Sequence, residues 1–102
     1  MAQDIKADEL KQKLDNEENF LLIDVREPHE HEDFNAGGEL IPLGTLPNRL
    51  NDFADRKEDE VVVYCRSGQR SGVAKELMER QGFKNVRNWL GGMLDYSGRY
   101  GQ

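Results

Sequence analysis

Val61-Val62-Val63-Tyr64 runs without a break into Cys65-Arg66-Ser67-Gly68-Gln69-Arg70-Ser71. Three β-branched residues and a tyrosine favour a packed, pleated strand. Beyond the polar stretch, Val73, Ala74, Leu77 and Met78 recur at helical spacing, and Gly82 stops that helix as a C-terminal cap. The order is strand, tight polar loop, helix. Upstream, Phe20-Leu21-Leu22-Ile23-Asp24-Val25 is a continuous apolar run, the pattern of a strand buried on both faces of a parallel sheet, with Asp24 at its C-terminal end.

The rest of the chain alternates in the same way. Lys6 to Asn16 sets Leu10 and Leu14 four apart behind the acidic pair Asp8 and Glu9, which predicts an amphipathic helix. Glu27 to Asn35 holds a short helix after Pro28, Gly37-Gly38 stops it, and Leu40-Ile41-Pro42 supplies an edge strand. Leu46, Leu50 and Phe53 predict a second amphipathic helix capped by Thr45, and residues 55–60 form a solvated charged turn. Val86 to Trp89 is the last strand, and Gly91-Gly92 opens a final short helix. Strands alternating with helices imply an α/β fold with a mostly parallel sheet, whose ligands collect at the strand C-termini. Asp24 and Cys65 both lie at such ends.

At 102 residues the chain is expected to form one domain spanning 1–102, and 36% hydrophobic against 33% charged residues suits a soluble globular protein. No apolar run approaches the roughly 18 residues that cross a bilayer, so no membrane partner is expected. The N-terminal residues Met1 to Lys6 lack a basic stretch followed by an apolar one, which argues against a secretory signal, and a single cysteine suits a reducing cytoplasm. Net charge is −6, unevenly placed: residues 1–60 carry 17 acids and 7 bases, residues 61–102 carry 3 and 7. Lys and Arg never cluster in runs, which argues against nucleic acid, whereas a small anion near Cys65 is plausible.

A lone cysteine is ordinarily a small buried residue. Here two arginines, two serines and a glycine follow it within six positions, the makings of a pocket for negative charge. A thiol ionises when it sits at a helix N-terminus beside cationic groups. N–H groups of the helix after Arg70 would point back at the sulfur, Arg66 and Arg70 would flank it, Gly68 would permit an inward-facing nest of amides, and Ser67 and Ser71 would add hydroxyl donors, Ser71 doubling as helix cap. Lowering a thiol pKa by two units needs about 2.7 kcal/mol, within reach of a helix dipole and two partly exposed arginines. The reading requires a sulfur that water and substrate can reach.

In these residues the chain resembles the rhodanese-type sulfurtransferases. Cys65 to Ser71 looks like their active-site loop, Leu22-Ile23-Asp24-Val25-Arg26-Glu27-Pro28 like their first signature segment, and Asn88-Trp89-Leu90-Gly91-Gly92-Met93 like their closing segment. One departure is that Ala36-Gly37-Gly38-Glu39-Leu40 is shorter than the family's usual stretch there. The resemblance implies a three-layer fold, a mostly parallel sheet with helices on both faces, and ping-pong sulfur transfer without a cofactor. Cys65 would be catalytic, and Arg66, Ser67, Gly68, Gln69, Arg70 and Ser71 would bind the substrate. The partners implied are a small anionic sulfur donor, with thiosulfate preferred because Arg66 follows the cysteine, and a thiol, cyanide or protein acceptor.

The same residues admit other readings. A carrier module that presents a persulfide to a protein partner would use the same cysteine. Phosphatases and arsenate reductases of this fold separate cysteine and arginine by five residues, whereas four separate Cys65 from Arg70, a smaller ring that suits a sulfane sulfur. Asp24 and Arg26 are candidates to orient the loop, or else form a structural ion pair with each other. His29 and His31 stand one residue apart among acids, with no third ligand indicated, so no metal site is expected and both read as solvated surface. Trp89 reads as core.

Overall fold

The valine run lies at the centre of β3 (Glu60–Tyr64), and Val61 to Tyr64 have no solvent exposure. The chain, described here from a computed structural model that covers residues 2–100, proceeds α1 (Ala7–Asp15), β1 (Leu21–Asp24), α2 (Pro28–Asp33), β2 (Glu39–Leu40), α3 (Leu46–Arg49), β3, α4 (Gln69–Arg80), β4 (Asn85–Asn88) and α5 (Gly92–Tyr100). Residues 1, 101 and 102, the ends of the domain expected from sequence, lie outside the described residues. The four strands are parallel in the order β2-β1-β3-β4, with Ile23 opposite Val63 and Asp24 opposite Tyr64.

Alternation along the strands divides the interior into two layers. Leu22, Val62 and Tyr64 pack with Ala7 and Leu10 of α1, with Trp89, and with Met93 of α5. Leu21, Ile23, Val25, Val61, Val63 and Cys65 pack with Leu46, Leu50, Phe53, Ala74 and Met78 on the side of α3 and α4. The fold is thus α/β with helices on both faces of a parallel sheet, as expected. The two-residue period also sets the functional geometry: Cys65 falls on the α4 side and Asp24 on the other. Among the described residues no helix is long and apolar enough to cross a membrane.

Four local expectations need correction. The helix after the loop begins at Gln69, two residues earlier than sequence suggested, because Gly68 takes φ +102° and turns the chain into α4 at once. Ser71 therefore sits inside the first turn with its side chain fully buried, not at the cap. The helix over Leu46 to Phe53 is one α-helical turn followed by a 3-10 segment (Leu50–Arg56), and Phe53 leaves helical angles at φ −116°, ψ 20°. Thr45 does not cap it, since its hydroxyl donates to the Pro42 carbonyl 2.9 Å away.

Candidate functional site

The loop after β3 closes around a sulfur. Cys65 Sγ accepts hydrogen bonds from the backbone N–H of Gly68 (3.1 Å) and of Ser71 (3.4 Å), and Ser71 Oγ lies 3.4 Å from it. The positive φ of Gly68 turns its amide inward, and the early start of α4 brings the Ser71 amide, one of the helix's unpaired N-terminal donors, onto the same atom. Burial pushes the Cys65 thiol up, but contact with the Ser71 side chain and the amides of Ser71, Ser67 and Gly68 outweigh it and hold the thiol below its ordinary value. Sequence reasoning gave that role to a helix dipole and two arginines. The structure gives it to groups at close range, the Ser71 side chain first and then the amides of Ser71, Ser67 and Gly68.

The loop is clasped from the far side by the start of α5. Met93 N–H donates to the Cys65 carbonyl (3.0 Å) and Leu94 N–H to the Arg66 carbonyl (2.9 Å). Gly92 permits this approach: at φ +53°, an added Cβ would overlap the Cys65 carbonyl oxygen and lie 2.7 Å from that of Arg66. From β4, the buried Asn88 donates through Nδ2 to the Gly68 carbonyl (3.1 Å), and its Oδ1 accepts from Ser71 Oγ at 2.5 Å. Neither Gly92 nor Asn88 was singled out as a site residue from the sequence, although both lie in the segment Asn88 to Met93 that carried the resemblance.

The two arginines part company. Arg70 forms a bidentate pair with Glu30 of α2, at 2.7 and 2.9 Å, and this guanidinium brings the Glu30 carboxyl down to about 2. Nothing in the acidic stretch 27–33 marks Glu30 out, because the pairing is made 40 residues away. Arg66 is exposed and joins Arg26, Glu30, Phe34, Met93 and Leu94 around a cavity of about 200 Å³ beside the loop. Ser67 and Gln69 are exposed, and neither side chain makes a hydrogen bond among the described residues. Cys65 itself is 1% exposed and is absent from the cavity wall, so the sulfur lies under the loop and not in the open bowl that the sequence suggested.

Asp24 and Arg26 bind each other. Arg26 Nη2 and Nε make three contacts with the two Asp24 carboxylate oxygens at 2.8 to 3.1 Å, the Arg26 backbone N–H adds a fourth at 3.0 Å, and Arg26 also donates to the Phe34 carbonyl. Asp24 is fully buried. None of these side-chain bonds touches residues 65–71, because Asp24 stands on the opposite face of the sheet from the sulfur. Arg26 reaches the site only as part of the cavity wall. His31, expected as solvated surface, instead places Nδ1 2.9 Å from Asp24 Oδ2, while His29 is exposed. Tyr64 anchors the short segment before β2, donating to the Gly37 carbonyl at 2.7 Å and accepting from the Ala36 amide at 3.2 Å. Trp89 is fully buried between Tyr64 and Tyr96, as expected of core.

Comparison with known proteins agrees with this arrangement. The rhodanese-like domain profile matches residues 6–99. A sulfurtransferase of Allochromatium vinosum is 34% identical over 98 residues, 95% of this chain and 90% of that protein. The thiosulfate sulfurtransferase PspE of Escherichia coli is 38% identical over 74 residues, 72% of this chain and 70% of that one. A candidate sulfur carrier protein of Bacillus subtilis, YrkF, is 39% identical over 97 residues; 94% of this chain matches it, and the chain spans about half its length. Among solved structures, a rhodanese-like domain protein of Staphylococcus aureus superposes with a TM-score of 0.82 at 33% identity, covering 94% of this chain and 91% of that one. Sequence and fold match together over nearly the whole described chain, which therefore belongs to the rhodanese-like family of sulfurtransferases and sulfur carriers.

Proposed function

We propose that the protein transfers sulfane sulfur from thiosulfate through a persulfide on Cys65. The observation that carries the reading is the pair of amides, Gly68 and Ser71, directed at Cys65 Sγ. Such donors favour the anionic form of a buried sulfur and are already in place when charge develops on it. The Cys65 thiolate attacks the outer sulfur of thiosulfate. A bond forms between the two sulfurs, the S–S bond of thiosulfate breaks, and sulfite leaves with the bonding pair. An acceptor thiolate or cyanide then attacks the outer sulfur of the persulfide and restores the Cys65 thiolate. The cycle as written draws on no cofactor.

Arg66 is the cation at the cavity wall that makes no ion pair among the described residues and is the group that would meet a small dianion, since Arg26 is held by Asp24 and the wall also carries Glu30 and Asp33. In this reading the cavity receives the donor, and the loop over the sulfur lifts to admit its outer atom, since Cys65 is 1% exposed. Arg70 supports the loop through Glu30 and does not compete for the donor. Incubation with thiosulfate is expected to add the mass of one sulfur atom to the intact chain, and cyanide is expected to remove it as thiocyanate. Cys65→Ser is expected to lose both. An unchanged mass in the folded wild type would overturn the proposal. A second reading, a carrier that hands its persulfide only to a protein acceptor, is favoured by the likeness to YrkF. It predicts loading without turnover on cyanide.

A further inference from the structure

The Ser71 hydroxyl has one proton and two neighbours that compete for it. Asn88 Oδ1 is 2.5 Å away and Cys65 Sγ 3.4 Å away. The orientation of the Asn88 amide is fixed at its other end: Nδ2 faces the Gly68 carbonyl at 3.1 Å, and a carbonyl only accepts, so the NH₂ group stands there and the oxygen faces Ser71. An amide oxygen also only accepts. Ser71 therefore donates to Asn88 and turns a lone pair toward the sulfur. That arrangement suits a neutral thiol, whose S–H donates to Ser71 Oγ. It does not suit a thiolate, which has no proton and meets the oxygen lone pair directly. Ser71 is fully buried and Asn88 is 7% exposed, so bulk water does not replace either partner.

We propose that Asn88 is a positioning residue that holds the Ser71 hydroxyl proton away from the Cys65 sulfur, so that the sulfur loses its own proton to solvent only when Ser71 swings its O–H from Asn88 to sulfur. The inference rests on the reading of Cys65 as the sulfur-bearing residue. Ionisation turns the Ser71 O–H to the sulfur, where it joins the Gly68 and Ser71 amides in holding the thiol down, and leaves the Asn88 oxygen buried without that donor, a penalty that opposes this help. In the persulfide the charge moves to the outer sulfur and the inner sulfur is neutral, so the hydroxyl returns to Asn88. Asn88 thus favours the loaded cysteine over the empty thiolate.

The charged groups around this end of the sheet are Arg66 in the loop, Arg70 on α4 paired with Glu30 of α2, Asp24 with Arg26 and His31 beyond β1, Asp95 on α5, and the Asp4–Lys75 pair, whose Asp4 carboxylate accepts from the Asn88 backbone N–H. All are common to the variants that test the idea. The Cys65 titration is followed by ultraviolet thiolate absorbance in the wild type, Asn88→Leu, Ser71→Ala and the double variant. Asn88→Leu frees the hydroxyl to donate to the sulfur, and is expected to lower the midpoint by about one pH unit, roughly tenfold more thiolate at a given pH. In the Ser71→Ala background the same substitution is expected to produce no such fall.

A merely structural Asn88 would leave the midpoint unchanged or raise it as the loop loosens, with or without Ser71, and either result overturns the proposal. Should Asn88→Leu not fold, the infrared S–H band of the wild type decides. A hydrogen-bonded band that reverts toward the free-thiol position in Ser71→Ala supports the assignment, and a free-thiol band in the wild type refutes it. None of these measurements uses a sulfur donor. Failure of thiosulfate to load Cys65 would therefore sink the proposed function and leave the hydroxyl assignment standing, and the converse also holds.

Discussion

Replacing Gly92 with alanine tests whether the start of α5 holds the Cys65 loop in place. The added Cβ would lie 2.7 Å from the Arg66 carbonyl oxygen and 2.8 Å from its carbonyl carbon, and closer still to the Cys65 carbonyl oxygen. These are backbone atoms, so no side-chain rotation relieves the overlap. The backbone at φ +53° costs a residue with a Cβ about 1–2 kcal/mol. Moving α5 away sacrifices the bonds from Met93 N–H to the Cys65 carbonyl and from Leu94 N–H to the Arg66 carbonyl, each about 1 kcal/mol net. The sum is about 3–4 kcal/mol, a large part of the roughly 5–15 kcal/mol that holds a small domain together. At about 4–8 °C per kcal/mol, the melting temperature is expected to fall by ~15 °C or more. Gly98→Ala serves as the control: it lies in the same helix, its added Cβ meets nothing within 4 Å, and it is expected to be neutral or mildly stabilising. The assay is thermal unfolding by circular dichroism, with hydrogen exchange at the Met93 and Leu94 amides. A Gly92→Ala protein that melts within a couple of degrees of the wild type, with both amides still protected, would show that the clasp does not hold the loop.

Other outcomes follow from the same geometry. Arg70 depresses the Glu30 carboxyl to about 2 from an ordinary 4.5, so the stability that this pair contributes is complete above pH 4.5 and disappears as pH falls toward 2. Acid unfolding curves of Glu30→Gln should lack that component, and identical curves for the two proteins would count against it. Arg26→Met leaves the fully buried Asp24 carboxylate without its main partner and should destabilise the fold by about 3–5 kcal/mol in urea, whereas Asp24→Leu combined with Arg26→Met should be far milder. Alkylation of Cys65 by iodoacetamide should persist at pH values below the ordinary thiol range, because the thiol is held down, yet its rate should level off at high reagent as loop opening becomes limiting. A rate that stays proportional to reagent and matches a free thiolate would mean that the sulfur is open already.

The sequence by itself determined where the strands fall, that they form a mostly parallel sheet, and the location of the candidate loop after β3, because those features depend on local chemistry. A run of valines must be buried, a glycine must supply the turn before α4, and a cysteine ringed by donors stands out against an acidic chain. The resemblance in three ordered segments then identified the family. Tertiary structure decided which donors face the sulfur. Arg70 looked like a neighbour of Cys65 in sequence, yet its charge is taken by Glu30 across the gap between α2 and α4. Asp24 lies at the correct end of β1, but the two-residue strand period turns it to the opposite face, toward Arg26 and His31. Asn88, 17 residues beyond Ser71 in the chain, is brought to its hydroxyl only by the pairing of β3 with β4. Local sequence fixes what a residue can donate or accept, and the register between distant strands and helices fixes which partner receives it.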